Sequence, residues 1–123
     1  MTRRYYLRYY KPLFHTETNV FDPGEAPRWL WKQWANVLRM RRDGVPVLGF
    51  TWYSLTDQID WDIGLKEKRG TVNGCGLYDL DRKPRPVASA YRELIKNFGR
   101  ISPIANAKMF VLTDEAALSK AVA

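Results

Sequence analysis

A chain of 123 residues, 46% hydrophobic and 27% charged, suits one domain built on a single core. Its 20 Lys and Arg against 13 Asp and Glu give a net charge of +7, yet the cations are scattered over loops and helix ends, so no nucleic-acid face is expected. The lone Cys75 excludes an internal disulfide and a thiolate metal cluster. No apolar run reaches the ~20 residues of a membrane span, and no signal-peptide core opens the chain, so no membrane partner and a cytoplasmic location are the expectation.

In chain order, residues 2–10 read as the end of an amphipathic helix, with Tyr6, Tyr9 and Tyr10 on one face and Arg4 and Arg8 on another. The rival reading is a basic-aromatic arm for single-stranded nucleic acid. Residues 11–17 read as a strand whose alternation places Leu13, His15 and Glu17 on one side and Phe14 and Thr16 on the other. After a loop rich in Asn, Asp, Pro and Gly, residues 27–43 read as a helix. Pro27 opens it, Leu30, Trp31, Trp34, Val37 and Leu38 form its apolar stripe, and Gly44 closes it. Arg39, Arg41 and Arg42 complement its negative end.

Residues 45–53 are nearly all apolar, as expected of a parallel strand buried on both faces, and complete a βαβ unit. Residues 54–76 form a long segment without a clean period, in which Trp61 argues against disorder. Residues 76–81 suggest a short strand or turn. A last helix over 86–98 presents Val87, Ala90, Tyr91, Leu94, Ile95 and Phe98, and ends at Gly99. Residues 1–99 thus form the principal unit, and 100–123 an extension with a short Ala-rich helix at 114–122.

The reactive candidates sit at strand ends. Glu17 suits a general base, a nucleophile, a metal ligand or a structural acceptor; His15 beside it makes two metal ligands, too few for a site, so no metal is expected. Trp52 is either core or a stacking platform. Asp60 next to Trp61 pairs a charged acceptor with a ring face, a combination that suits a sugar.

Three stretches together resemble family 1 glycoside hydrolases, the β-glucosidase type. Thr16-Glu17-Thr18-Asn19 is similar to that family's Thr-Glu-Asn-Gly strand end. The run from Gly49-Phe50 through Ser54-Leu55, Asp57-Gln58 and Asp60-Trp61 is similar to its Gly-Tyr-Phe-x-Trp-Ser-Leu-x-Asp-Asn-x-Glu-Trp segment. Gly76 to Asp81, followed by the helix from Pro86, looks like its closing stretch. The resemblance implies an α/β fold that is part of a (β/α)8 (TIM) barrel, with 11–17 and 45–53 as its last two strands and 2–10 as the tail of the preceding helix. It implies Glu17 as the nucleophile of a retaining mechanism and a β-glycoside as substrate, with no cofactor. Trp52 or Tyr53 would floor the cleft, Asp60 and Trp61 would hold the sugar, and Asn19 and His15 complete the expected contacts.

Three departures from the family pattern stand out: Tyr53-Ser54 for Trp-Ser, Asp60 for Glu, and Thr18-Asn19 for Asn-Gly. A barrel needs ~250 residues, so the chain is expected to be a C-terminal portion lacking the strand-four acid/base and inactive alone. The rest of the barrel or another copy would then cover its open sheet edges. The alternatives are a non-catalytic module binding carbohydrate or nucleic acid, and a degenerate remnant.

Overall fold

The computed structural model describes residues 1–99. The expected helix at 114–122 lies outside the described residues. The chain runs α1 (Thr2–Tyr9), β1 (Leu13–Thr18), α2 (Ala26–Arg42), β2 (Val47–Trp52), β3 (Gln58–Ile59), a single 3-10 turn (Trp61–Ile63), β4 (Val72–Asn73) and α3 (Pro86–Phe98). The fold is mixed α/β. β1 and β2 pair in parallel through the crossover helix α2, whereas β3 and β4 form a small antiparallel ladder.

Helix α2 forms where its apolar residues recur at helical spacing. Its buried side is Ala26, Leu30, Trp34 and Val37. Leu38, assigned to the stripe from spacing, lies at its exposed margin, and Trp31 is half-buried. Gly44 takes a positive φ of 79°, the left-handed turn that ends the helix without a Cβ penalty. The buried side meets Val45 just before β2, Val47 and Trp52 of β2, and Val87 and Leu94 of α3. Trp34 and Phe98 lock the two helices together, their rings 5.2 Å apart and tilted by 58°. The fully buried Leu30 contributes about 2–3 kcal/mol on apolar burial alone.

Arg41 does more than complement the end of α2. Its Nε and Nη2 donate to the carbonyls of Val47 and Leu48, each at 2.6 Å, and its guanidinium lies 5.6 Å from the Trp34 ring centre. Burial lowers its pKa from the ordinary arginine value. The side chain thereby ties the end of α2 to the start of β2.

Two expectations change. Residues 45–53 are not buried on both faces: Val47 and Trp52 are buried, but Leu48, Gly49 and Phe50 are half-buried and Thr51 is exposed. A two-stranded sheet covered by helices on one side leaves its other side open, and Phe14 is accordingly 50% exposed. The strict alternation of β1 also fails. Between His15 and Thr18 the strand advances three residues against two on β2, Phe50 to Trp52, so the ladder is irregular there. Thr16 and Glu17 are consecutively exposed as a result. Helix α1 buries no residue; Tyr6 is half-buried, and Tyr9 and Tyr10 are exposed. No helix among the described residues is long and apolar enough to cross a membrane.

Candidate active site at the strand ends

Parallel strands deliver their carboxyl ends to one side, and here that side carries Glu17, Asn19 and Tyr53. Thr18 pairs with Trp52, and the Tyr53 amide donates to the Thr18 carbonyl at 3.0 Å. From α2, the Trp29 indole Nε1 donates to Thr18 Oγ1 at 2.9 Å and fixes this strand end. Glu17, one residue earlier, is exposed, and its carboxylate accepts no hydrogen bond from the described residues. Asn19 is half-buried immediately after the strand.

Trp52 and Tyr53 part company. Trp52 is 5% exposed, belongs to the core, and donates Nε1–H to the Cys75 carbonyl at 2.9 Å. It does not floor a cleft, because the strand turns its ring inward and the chain at Cys75 satisfies its one donor. Tyr53 instead packs against Trp61, ring centres 5.7 Å apart and planes tilted by 35°. Trp61 remains 41% exposed. The Tyr53–Ser54 peptide is cis.

The segment behind this aromatic pair is built on polar side chains that accept backbone amides. Asp60 is 5% exposed. Its Oδ2 accepts the amides of Arg69 and Gly70, each at 3.0 Å, and its Oδ1 that of Thr71 at 2.8 Å. The Gly70 amide leads in holding its pKa below the ordinary aspartate value; burial opposes this, and the other two amides and the Arg69 charge reinforce it. Asp60 is therefore engaged by the loop, where the resemblance implies a ligand for sugar hydroxyls.

Asp57 is likewise committed. It accepts the Gly76 amide at 3.0 Å and a two-pronged contact from Arg85, whose Nε lies 3.0 Å from Oδ1 and whose Nη2 meets Oδ2. That contact raises the Arg85 pKa above its ordinary value. Gly76 is required by crowding: a Cβ there would lie 2.4 Å from backbone atoms of Thr56, Asp57 and Tyr78.

His15 stands apart from this cluster. Its Nε2 lies 3.2 Å from Thr2 Oγ1, and it lines a cleft of about 320 Å3 between α1, β1 and α2, together with Arg3, Gln33, Asn36 and Arg39. The structure places Glu17 and Asn19 at the end of β1 and Tyr53, packed against Trp61, just after β2, and directs Trp52, Asp60 and His15 elsewhere. Among the described residues, no three of His, Cys, Asp and Glu group as metal ligands. Sequence reasoning gives no role to Asn73 or Arg85; the glycines flanking Cys75 in Gly74-Cys75-Gly76 are the available signal of a close backbone approach.

No protein-family model matches the chain, and no solved structure matches it. It is similar to a beta-galactosidase of Sulfolobus acidocaldarius, with 29% identity over 100 residues, covering 78% of this chain and 20% of the relative. The chain spans about a fifth of the length of the curated relative it matches.

Proposed function

We propose that this chain supplies the closing strands of a retaining β-glycosidase of the family 1 type, with Glu17 as the nucleophile. The observation that carries the reading is the parallel β1–β2 pair, which bears an uncommitted carboxylate near the end of β1 and leads from the end of β2 into the Tyr53–Trp61 pair. The similarity to a beta-galactosidase supports it independently of the geometry.

In this reading a pyranose ring lies against the exposed Trp61 face. The Glu17 carboxylate attacks the anomeric carbon, the bond to the leaving oxygen breaks, and a glycosyl-enzyme forms. A second carboxyl, ~5–5.5 Å away, gives its proton to the leaving group and then takes one from the water that releases the sugar. Asp57 and Asp60 are poor choices for that role, because both are buried and already accept hydrogen bonds. The acid/base therefore belongs to another part of the barrel, which also covers the open side of the sheet at Phe14 and its two free edges.

The test is complementation. The chain combined with the remaining strands of a barrel should hydrolyse an aryl β-galactoside, and Glu17→Gln should remove the activity by several orders of magnitude. Azide should restore turnover of Glu17→Ala by occupying the vacated nucleophile's place. Activity that survives Glu17→Gln would take the residue out of that role. The committed state of Asp57 and Asp60 favours one second reading, a carbohydrate-binding module without catalysis; sugar binding with no turnover in any assembly would select it.

A further inference from the structure

We propose that Asp60 and Asn73 are positioning residues that hold Trp61 as the stacking face of the sugar site, and that Asp60 is not itself a ligand for sugar hydroxyls. The inference rests on the function proposed above and deepens it, since it fixes what the site reads in its substrate.

The geometry is a pair of clasps around one residue. Asp60 grips the segment leading into β4 through the amides of Arg69, Gly70 and Thr71. Its own amide donates to the Thr71 carbonyl at 2.8 Å, and its carbonyl accepts the Leu65 amide at 3.1 Å. Asp60 adopts a left-handed backbone, φ 56°, an uncommon conformation that this set of bonds overdetermines. Asn73, 8% exposed, closes from the other side: its Oδ1 accepts the amides of Trp61 at 2.7 Å and Asp62 at 3.2 Å. These are the first amides of the 3-10 turn, which has no side-chain cap from Asp60. Asn73 is a cap supplied from twelve residues away, and its own backbone is fixed by pairing with Gln58.

The result is an indole whose backbone is held on both sides while its ring stays exposed against Tyr53. A ring fixed before the ligand arrives loses little conformational freedom on binding, so stacking on it is favoured. A carboxylate offers about four acceptor positions, and three of Asp60's are filled by amides on a nearly inaccessible side chain. Recruiting it to a sugar hydroxyl would break the loop. Recognition at this position therefore reads the ring's face and not one hydroxyl, and sugars differing by a single hydroxyl are weakly distinguished here.

The experiment uses the full chain and two NMR readouts. First, amide exchange and the Tyr53–Trp61 ring contact are followed in Asn73→Ala, Asn73→Asp and Asp60→Asn. Asn73→Ala should speed exchange at Trp61 and Asp62 about tenfold or more and weaken the ring contact, with amides of α2 and α3 unchanged. Asn73→Asp keeps the acceptor and should restore protection. Asp60→Asn should expose the 69–71 amides. Unchanged exchange and ring contact in Asn73→Ala would overturn the clasp. Second, methyl β-galactoside and its single-deoxy analogues are titrated. Asn73→Ala and Asp60→Asn should weaken every sugar by a common factor, on the order of fivefold. An Asp60→Asn loss confined to sugars carrying one hydroxyl, with 69–71 still protected, would make Asp60 a direct ligand and overturn the proposal. The titration is run on the chain combined with the remaining strands of a barrel: if that assembly binds no sugar, the glycosidase reading falls, whereas sugar binding left unchanged by Asn73→Ala and Asp60→Asn overturns the clasp's role with that reading intact, and the exchange data decide separately whether Trp61 is held by Asp60 and Asn73.

Discussion

The end of β1 and the segment 54–76 use carboxylates in opposite ways. In the segment, Asp57 and Asp60 are 3% and 5% exposed, and each is enclosed by donors: a guanidinium and an amide for one, three amides for the other. At the strand end, Glu17 is exposed and accepts nothing from the described residues. Buried charge survives only when it is compensated, so the enclosed carboxylates hold the backbone and are unavailable to a substrate. An exposed carboxylate at the end of a parallel pair has no such structural duty. The contrast separates carboxylates that hold the backbone from one that does not, which the residue types alone do not; under the proposed function that one is the nucleophile.

The sharpest way to break this contrast is at Arg85. Arg85→Leu leaves the buried Asp57 with only the Gly76 amide and should cost about 3 kcal/mol, measured by urea unfolding. Arg85→Lys should recover only part, because an ammonium cannot reproduce the two-pronged contact. Next comes Gly76→Ala, whose methyl meets backbone on three sides and should cost about 2 kcal/mol in the same assay.

Asp60 adds a pH signature. Its folded pKa lies below its unfolded value, so its contribution is present above the ordinary aspartate range and is lost as pH falls through the depressed folded value. The stability gap between the wild type and Asp60→Asn should therefore be widest near neutral pH and close progressively below about pH 4. A gap that stays constant down the acid range would show that the carboxylate's charge plays no part in the loop. The smallest effect is expected at the strand end: Glu17→Gln should change unfolding stability by less than about 0.5 kcal/mol. A larger loss would mean that Glu17 supports structure after all, and the contrast would disappear.

Much of the architecture is legible in the order of residues. The last helix is read at 86–98 and found at Pro86–Phe98, because a proline at its start, helical apolar spacing and a closing glycine are local signals. The βαβ arrangement is legible for the same reason: an apolar strand, a periodic helix and a second apolar strand can pack little other way. The aromatic pair is less so. Alternation puts Trp52 and Tyr53 on opposite faces but does not say which face is core, and the irregular ladder after His15 removes the alternation that would place Glu17.

What local pattern carries, then, is the parallel pair with its crossover helix and the placement of Glu17 near a strand end. Folding alone settled the fate of the neighbouring groups: Trp52 turned inward to the Cys75 carbonyl, and Asp60 closed on amides nine to eleven residues further along. Helices and strands arise from neighbours in sequence, whose spacing is written in the chain. A side chain's partners are set by which distant backbone a turn brings within 3 Å, and no periodicity encodes that distance.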